Sequence, residues 1–599
     1  MTNILSLAPD QASKYGRARG LQVKVELGGP AASSALPLPH PTLPALGSGN
    51  GSNAIPESGC SAAAAYRHIH DELQLDGQPH LNVASFVTTW METEAEQLSY
   101  ESINKNLVNA AEYTRTELIH QQVITMTASL FHADIPAGAC EPGEDPGMIG
   151  TTTVGSSEAV MLALLAHKWN WKQKRDQRPG HTAKDRPYLI IGTHTHACFA
   201  KFGRYFDVEV KWVSLQPGVY AITAEQVRTV LETKIADDPQ VMETCGFTLE
   251  EAGERRVGEL VMAVGCVACT TYTGDIDDVE GINQVLVQGG WDIPIHMDAA
   301  SGGFILPFTE AMGAAAPLWD FRLARVQSIN VSNHKYGLVY PGLGTVVFRN
   351  ATVVPEELLV NIDYLGGEIR NFSLNFSRAS TGVIVQYYNF LRLGKAGYRR
   401  VIQGCLDQAQ YLANAIESSP TLEPYFDVIS KTAYFPIVAI RFKDNWLDQP
   451  PFTLAELEKQ LEATGWFAPV YNLPPDNDRI EVMRIVVRAH FNRALASTFL
   501  HDLEAAVQRL TPAASRITGA PSLRGNHLQC LSRIHREPSG QQTDGEEATH
   551  ALDARGCSPP AAGPHPHAHG NLASTYRAWY PAFALDDRPI PFEELAAAA

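Results

Sequence analysis

The chain predicts an α/β protein built on a large, mostly parallel sheet, with a smaller α/β unit after it. Three observations carry this reading. Short apolar or β-branched runs alternate with helix-like segments through the middle of the chain. A similar alternation resumes on a smaller scale after about residue 400. The 599 residues are 45% hydrophobic and 19% charged, which suits a globular protein with a sizeable buried core.

Taken in order, residues 28–59 (GGPAASSALPLPHPTLPALGSGNGSNAIPESG) hold few bulky side chains. Such a stretch cannot bury enough surface to offset its chain entropy, so 1–54 is expected to be an extension with a disordered insert. A short segment, 55–80, leads into a large domain expected at 81–400. GSSEAVMLALLAHKWNWKQK (155–174) reads as a helix, opened by Gly155 and Ser156 and closed by lysines. PYLIIGT, VEVKWVSL, GELVMAVGCV, IPIHMDAA and VQSINVSN read as strands, with TAEQVRTVLETKI and DIDDVEGINQVLVQG as connecting helices. A parallel sheet covered on both faces follows from that order. VIQGCLDQAQYLANAIES, AYFPIVAIRF, LAELEKQLEATG, EVMRIVVRAHF and LASTFLHDLEAAVQRL form the smaller domain, 401–511. From 512 to 599 a poorly ordered tail is expected, with STYRAWYPAF (574–583) as a patch that could dock.

Net charge is -18. This argues against broad nucleic-acid binding, which depends on neutralising phosphates, but leaves room for a locally positive pocket. No apolar run reaches the roughly 18 residues of a membrane helix, and the start lacks a signal pattern, so the expected location is the cytoplasm. The nine cysteines are scattered without framework spacing and are read as reduced thiols. Cys266 and Cys269 have redox-like spacing but lie in a strand-like run, where packing is the simpler account.

The chemistry gathers around SINVSNHKYG (328–337). A lysine at a strand end is ordinarily just solvated. Asp298, however, closes another strand in PIHMDAASGG, with small residues after it that let something flat approach. TVGSSEA supplies a turn running into a helix N-terminus, a recipe for holding phosphate. An aspartate, an amine and a phosphate cradle on neighbouring loops fit pyridoxal 5′-phosphate, with Lys335 for the Schiff base and Asp298 for the pyridinium nitrogen.

LNVASFVTTWME, SINKN, GSSEA, HMDAASGGF, INVSNHKYGLVYPGLG and VMRIVVR together resemble the glutamate decarboxylases, from about Ile55 to Leu510. The resemblance implies a type I PLP-dependent transferase (aspartate aminotransferase-like) fold with a seven-stranded sheet. It also implies α-decarboxylation of L-glutamate to 4-aminobutanoate. It assigns Ala300 to one cofactor face and His196 to the other; Ser156, Ser157, Ser332 and His334 to the phosphate; and Thr271 to the cofactor's surroundings. Ser377 would reach the phosphate from a neighbouring subunit. Arg484, favoured over Arg488, would grip the α-carboxylate. Ser85 and Phe86 would receive the distal carboxylate, with Asn106 and Asn109 from the partner, and Tyr364 or Lys335 would return the proton to Cα. A homodimer with shared sites is implied, with a hexamer as the larger alternative.

Some positions depart from the family pattern. Asn333 stands where many relatives have glycine, and would be strained if the backbone there needs a positive φ. Asn109 stands where acidic bacterial enzymes carry an aspartate, and cannot titrate. The C-terminal segment has Trp579 but not the clustered lysines of calmodulin-binding plant relatives, so no calmodulin effect is expected. His194 and His196 are spaced like a metal pair, but no further ligands are apparent, and no metal is expected. The rivals are a PLP enzyme for cysteine sulfinate, aspartate or an aromatic amino acid, and a binding protein that kept the fold without turnover.

Overall fold

The computed structural model describes residues 55–56, 59–135, 148–313, 316–362, 369–447 and 449–511. The tail from 512, with the 574–583 patch and Trp579, lies outside the described residues, as do Tyr364 and nearly all of the expected insert. The chain divides into two units, Met1–Gly77 and Gln78–Ala599. In the first, helix Ala62–Leu73 starts at Ser61, whose side chain accepts from the Ala64 N–H at 3.2 Å.

The second unit is organised by a seven-stranded sheet. Its strands are β1 (Gly150–Thr153), β2 (Tyr188–Gly192), β3 (Glu209–Val213), β4 (Val261–Val267), β5 (Ile295–Asp298), β6 (Val326–Val331) and β7 (Gly344–Phe348), in the order β1-β7-β6-β5-β4-β2-β3. β3, β2, β4, β5 and β6 pair in parallel, while β7 runs antiparallel to both β6 and β1. Every residue of β2, β4 and β5 is buried, as continuous apolar runs in a doubly covered sheet require. Each fully covered aliphatic side chain there contributes about 1.5–3 kcal/mol.

The helix read at 155–174 spans Ser156–Gln177, and the predicted crossovers appear as Ala224–Glu232 and Val279–Gln288. Thr223 opens the first of these with a reciprocal capping box to Gln226, a signal visible in TAEQ. The smaller sheet holds Phe426–Val428, Ile437–Phe442, Glu481–Val486 and Val470–Asn472 in that spatial order, antiparallel throughout. The helical run Thr381–Ser418 straddles the boundary expected at 400 and is broken at Gly394, where φ is 54°. Among the described residues no helix is long and apolar enough to cross a membrane.

This topology puts the chemistry at one edge. Asp298 ends β5 and Ser332 follows β6, both at the carboxyl ends of parallel strands, where open α/β sheets present their ligand sites.

Candidate active site

Ser156, Ser157, His196, Thr271, Asp298, Ala300, Ser332, His334 and Lys335 line one cavity of about 230 Å³. Lys335 enters it from a tight turn after β6, in which its N–H donates to the Ser332 carbonyl at 3.1 Å. The 85–89 segment clamps that turn: the Thr88 hydroxyl donates to the Lys335 carbonyl at 2.6 Å, and the Thr88 N–H to the His334 carbonyl at 2.8 Å. The Lys335 ammonium donates to Ser301 Oγ at 2.8 Å. Burial lowers its pKa to about 8; the Asp298 carboxylate opposes that shift and the Arg484 guanidinium adds to it.

Asp298 is 6% exposed. The Ala300 N–H, at 3.0 Å, and Asn330 Nδ2, at 2.9 Å, both donate to Oδ1. That convergence leaves Oδ2 for the N–H of a ligand.

The cradle helix begins at Gly155 without a side-chain cap, so its first-turn N–H groups are not spent on one. Backbone approach here is close: a Cβ on Gly344 would sit 2.6 Å from the Gly155 carbonyl carbon and 2.8 Å from Ser156 N. Ser332 Oγ is buried without a hydrogen-bond partner. An orphaned hydroxyl beside an uncapped helix N-terminus is a site built for an oxyanion. His334 is fixed by its Nδ1, which donates to the Leu343 carbonyl at 2.8 Å, and burial lowers its pKa.

Several expectations need adjusting. The glycines after Asp298 serve the protein's own packing: a Cβ on Gly302 would meet the Ala268 carbonyl oxygen at 2.7 Å, and one on Gly303 would meet Val331 Cγ2 at 2.8 Å. Ala300 and Ser301 are the small residues that border the cavity. Asn333 is not among the positive-φ residues, so the feared strain is absent. Instead its side chain is fully buried, donating to Gln386 Oε1 at 3.0 Å and accepting from the Thr345 hydroxyl at 2.8 Å. The two histidines of His194-Thr-His196 part company. Both border the cavity, but His194 is buried with Nε2 3.1 Å from Asp277 Oδ1, whereas His196 is exposed. Cys266 and Cys269 are buried free thiols whose pKa values burial drives up, which disfavours a reactive thiolate.

Arg484 lies beside the cavity. Its guanidinium sits 4.8 Å from the Phe86 ring centroid, over which Lys335 Nζ also lies at 5.3 Å. Arg484 donates to the Thr271 and Ala84 carbonyls, while its Nε is buried without a partner. Arg488 is held by the carbonyls of Val87, Pro79 and Asn82, a structural clamp on the segment that carries Ser85 and Phe86. Ser85 Oγ accepts from the Val87 N–H at 3.1 Å. Arg484, Ser85, Phe86, Asn106, Asn109 and Ser377 are not among the residues that line this cavity, and Phe86 lines a neighbouring one with Lys335. Asn106 Nδ2 donates to Ser377 Oγ at 3.1 Å, and Asn109 Nδ2 to Glu112 Oε2 at 3.3 Å. Sequence reasoning missed Thr88, Ser301 and Asn330, because a Thr or Ser near a motif carries no signal until its partner is known.

A cavity that joins a buried lysine, a carboxylate with one free oxygen and an oxyanion cradle, on this sheet, fits the class of pyridoxal-phosphate enzymes. The model of the pyridoxal-dependent decarboxylase conserved domain matches residues 59–443. Glutamate decarboxylase of Solanum lycopersicum is 38% identical over 501 residues, covering 82% of this chain and 90% of that protein. Glutamate decarboxylase beta of Listeria innocua is 36% identical, covering 75% of this chain and 88% of its own. Among solved structures, glutamate decarboxylase of Lactobacillus brevis superposes with a TM-score of 0.65 at 32% identity, covering 77% of this chain and 95% of that one. The chain belongs to the pyridoxal-dependent decarboxylases, within their glutamate decarboxylase branch.

Proposed function

We propose that this cavity holds pyridoxal 5′-phosphate and decarboxylates L-glutamate at Cα, giving 4-aminobutanoate and CO2. The observation that carries the reading is the convergence of Lys335 Nζ, the open side of Asp298 and the unpaired Ser332 hydroxyl on one cavity. When bound, the cofactor supplies an aldehyde that condenses with amines and a ring that withdraws electrons from Cα. Lys335 is the residue for the aldehyde, and Asp298 Oδ2 the acceptor for the ring nitrogen's proton. Ala300 and His196 flank the ring, Thr271 borders it, and Ser156, Ser157, Ser332 and His334 take the phosphate.

Arg484 binds the substrate α-carboxylate, for which its planar fork is suited. Holding both carboxylates would fix the orientation of the substrate, and orientation of this kind can supply up to about 7–11 kcal/mol. Ser85 and Phe86 receive the distal carboxylate. Asn106, Asn109 and Ser377 serve the site of a second copy in a homodimer, as the resemblance to the glutamate decarboxylases implies. Because Asn109 carries no titratable group, acid-dependent binding tuned by a carboxylate at that position should be weaker. Lys335 or Tyr364 returns the proton to Cα. The enzyme works in the cytoplasm.

The substrate assignment is tested by CO2 release from a panel of amino acids. L-Glutamate should exceed aromatic amino acids, which lack the distal carboxylate, by at least ~10²-fold in kcat/KM, and aspartate and cysteine sulfinate, which carry the same charge at a different reach, by about 10-fold or more. Preference for any of the others would contradict it. Ser332→Ala should weaken cofactor retention about fivefold, the worth of one net hydrogen bond. It should leave the melting temperature of the cofactor-free protein unchanged or higher, because the hydroxyl has no protein partner to lose.

A further inference from the structure

The strand that carries Asp298 and the helix that forms the cradle are joined by a buried polar string. His296 and Asp298 lie two residues apart on β5 and so share a face of the sheet; paired with them on β6 are Ser328 and Asn330. His167 approaches from the cradle helix, about three turns beyond its start. His167 is 2% exposed, and His296, Ser328 and Asn330 are fully buried. His167 Nε2 lies 2.7 Å from Ser328 Oγ, and Ser328 Oγ lies 2.8 Å from His296 Nδ1. His296 Nε2 and Asn330 Oδ1 are each buried without a hydrogen-bond partner, and the two side chains interact electrostatically. Asn330 Nδ2 then donates to Asp298 Oδ1 at 2.9 Å.

Donor bookkeeping gives this string one direction. Asn330 spends its amide on Asp298, so its oxygen can only accept, and a proton on His296 Nε2 is the arrangement that satisfies both orphaned atoms. A neutral imidazole then has Nδ1 as acceptor, which takes the Ser328 hydroxyl proton and leaves that oxygen to accept from His167 Nε2–H. Burial supports neutral rings, lowering His296 to about 4 and His167 to about 3. Every donor therefore points toward the Asp298 carboxylate, an arrangement in which successive bonds polarise one another.

We propose that His167, Ser328, His296 and Asn330 are positioning residues. Their one-way string stabilises Asp298 as a carboxylate and holds it in register with the phosphate-cradle helix. This rests on the cofactor reading above and adds to it the means by which the ring nitrogen keeps its proton.

The test compares His167→Met, close in volume but unable to donate, with His167→Gln, which restores an N–H near the same place. Two readouts are taken on protein loaded with cofactor 15N-labelled at the ring nitrogen: the 15N resonance and the cofactor dissociation constant. His167→Met should move the resonance toward the unprotonated position and weaken binding about fivefold, whereas His167→Gln should stay within about twofold of wild type. Equal damage in both variants would indicate a packing role and overturn the proposal; so would a wild-type resonance and affinity in His167→Met. If His167→Met fails to fold, Ser328→Ala takes its place: a shifted resonance with weakened binding supports the string, and wild-type values overturn it. Wild-type protein that takes up no cofactor would instead sink the parent reading, and this one with it.

Discussion

Lys335→Ala is expected to lower turnover of L-glutamate by at least ~10³-fold, the scale on which covalent and proton-transferring groups act. The reasoning starts from the amine. Only its neutral form can attack an aldehyde, and an ordinary lysine would be almost wholly protonated near neutrality. Burial in the cavity wall brings Lys335 down to about 8. In the cofactor-free wild type, the rate of aldehyde capture should therefore rise with pH through about 8 and level off above it. A solvated lysine would keep gaining to beyond pH 10. Alanine removes the nucleophile and the Ser301 contact while leaving Asp298 and the cradle in place. The variant should still bind the cofactor through its phosphate, without the covalent absorbance band. A variant that kept more than a tenth of wild-type turnover would contradict the role.

Asp298→Asn should cost about 10²–10³-fold in kcat, the range seen when one charge-stabilising group is removed from a reacting centre. The substitution is nearly isosteric, so packing survives and the loss isolates the charge. With Ala300 N–H and Asn330 Nδ2 both aimed at Oδ1, an asparagine is forced to place its oxygen there. Its amide nitrogen then faces the ring, where it can donate but not accept. The ring nitrogen is left unprotonated, and the electron sink is weakened. Single-turnover measurements with saturating cofactor check this, and a rate within threefold of wild type would count against the assignment.

The large sheet was legible because buried parallel strands must be continuous apolar runs: YLIIG and VMAVGCV admit no other placement. Lys335, Asp298 and the Gly155–Ser156 turn were legible because their residue types and spacing serve one chemistry. What the residues could not display were partners set by tertiary packing. The strain feared at Asn333 is absent because its φ is not positive, and only the packed structure shows Gln386 and Thr345 holding its amide. His167 has no partner legible in its own helix, and Ser328 is found 2.7 Å away only in the packed structure. The glycines of the SGG run looked like cavity-makers, yet Ala268 and Val331 are what crowd them. The subunit that Asn106 and Ser377 would complete is a matter of assembly, which no local pattern encodes.

The measurement that bears most directly on the account is borohydride reduction of the loaded enzyme followed by peptide mapping. The account predicts a single pyridoxyl-modified residue, Lys335, in the peptide containing SNHKYG. A label on any other lysine, or no label from enzyme that is active on L-glutamate, would contradict it.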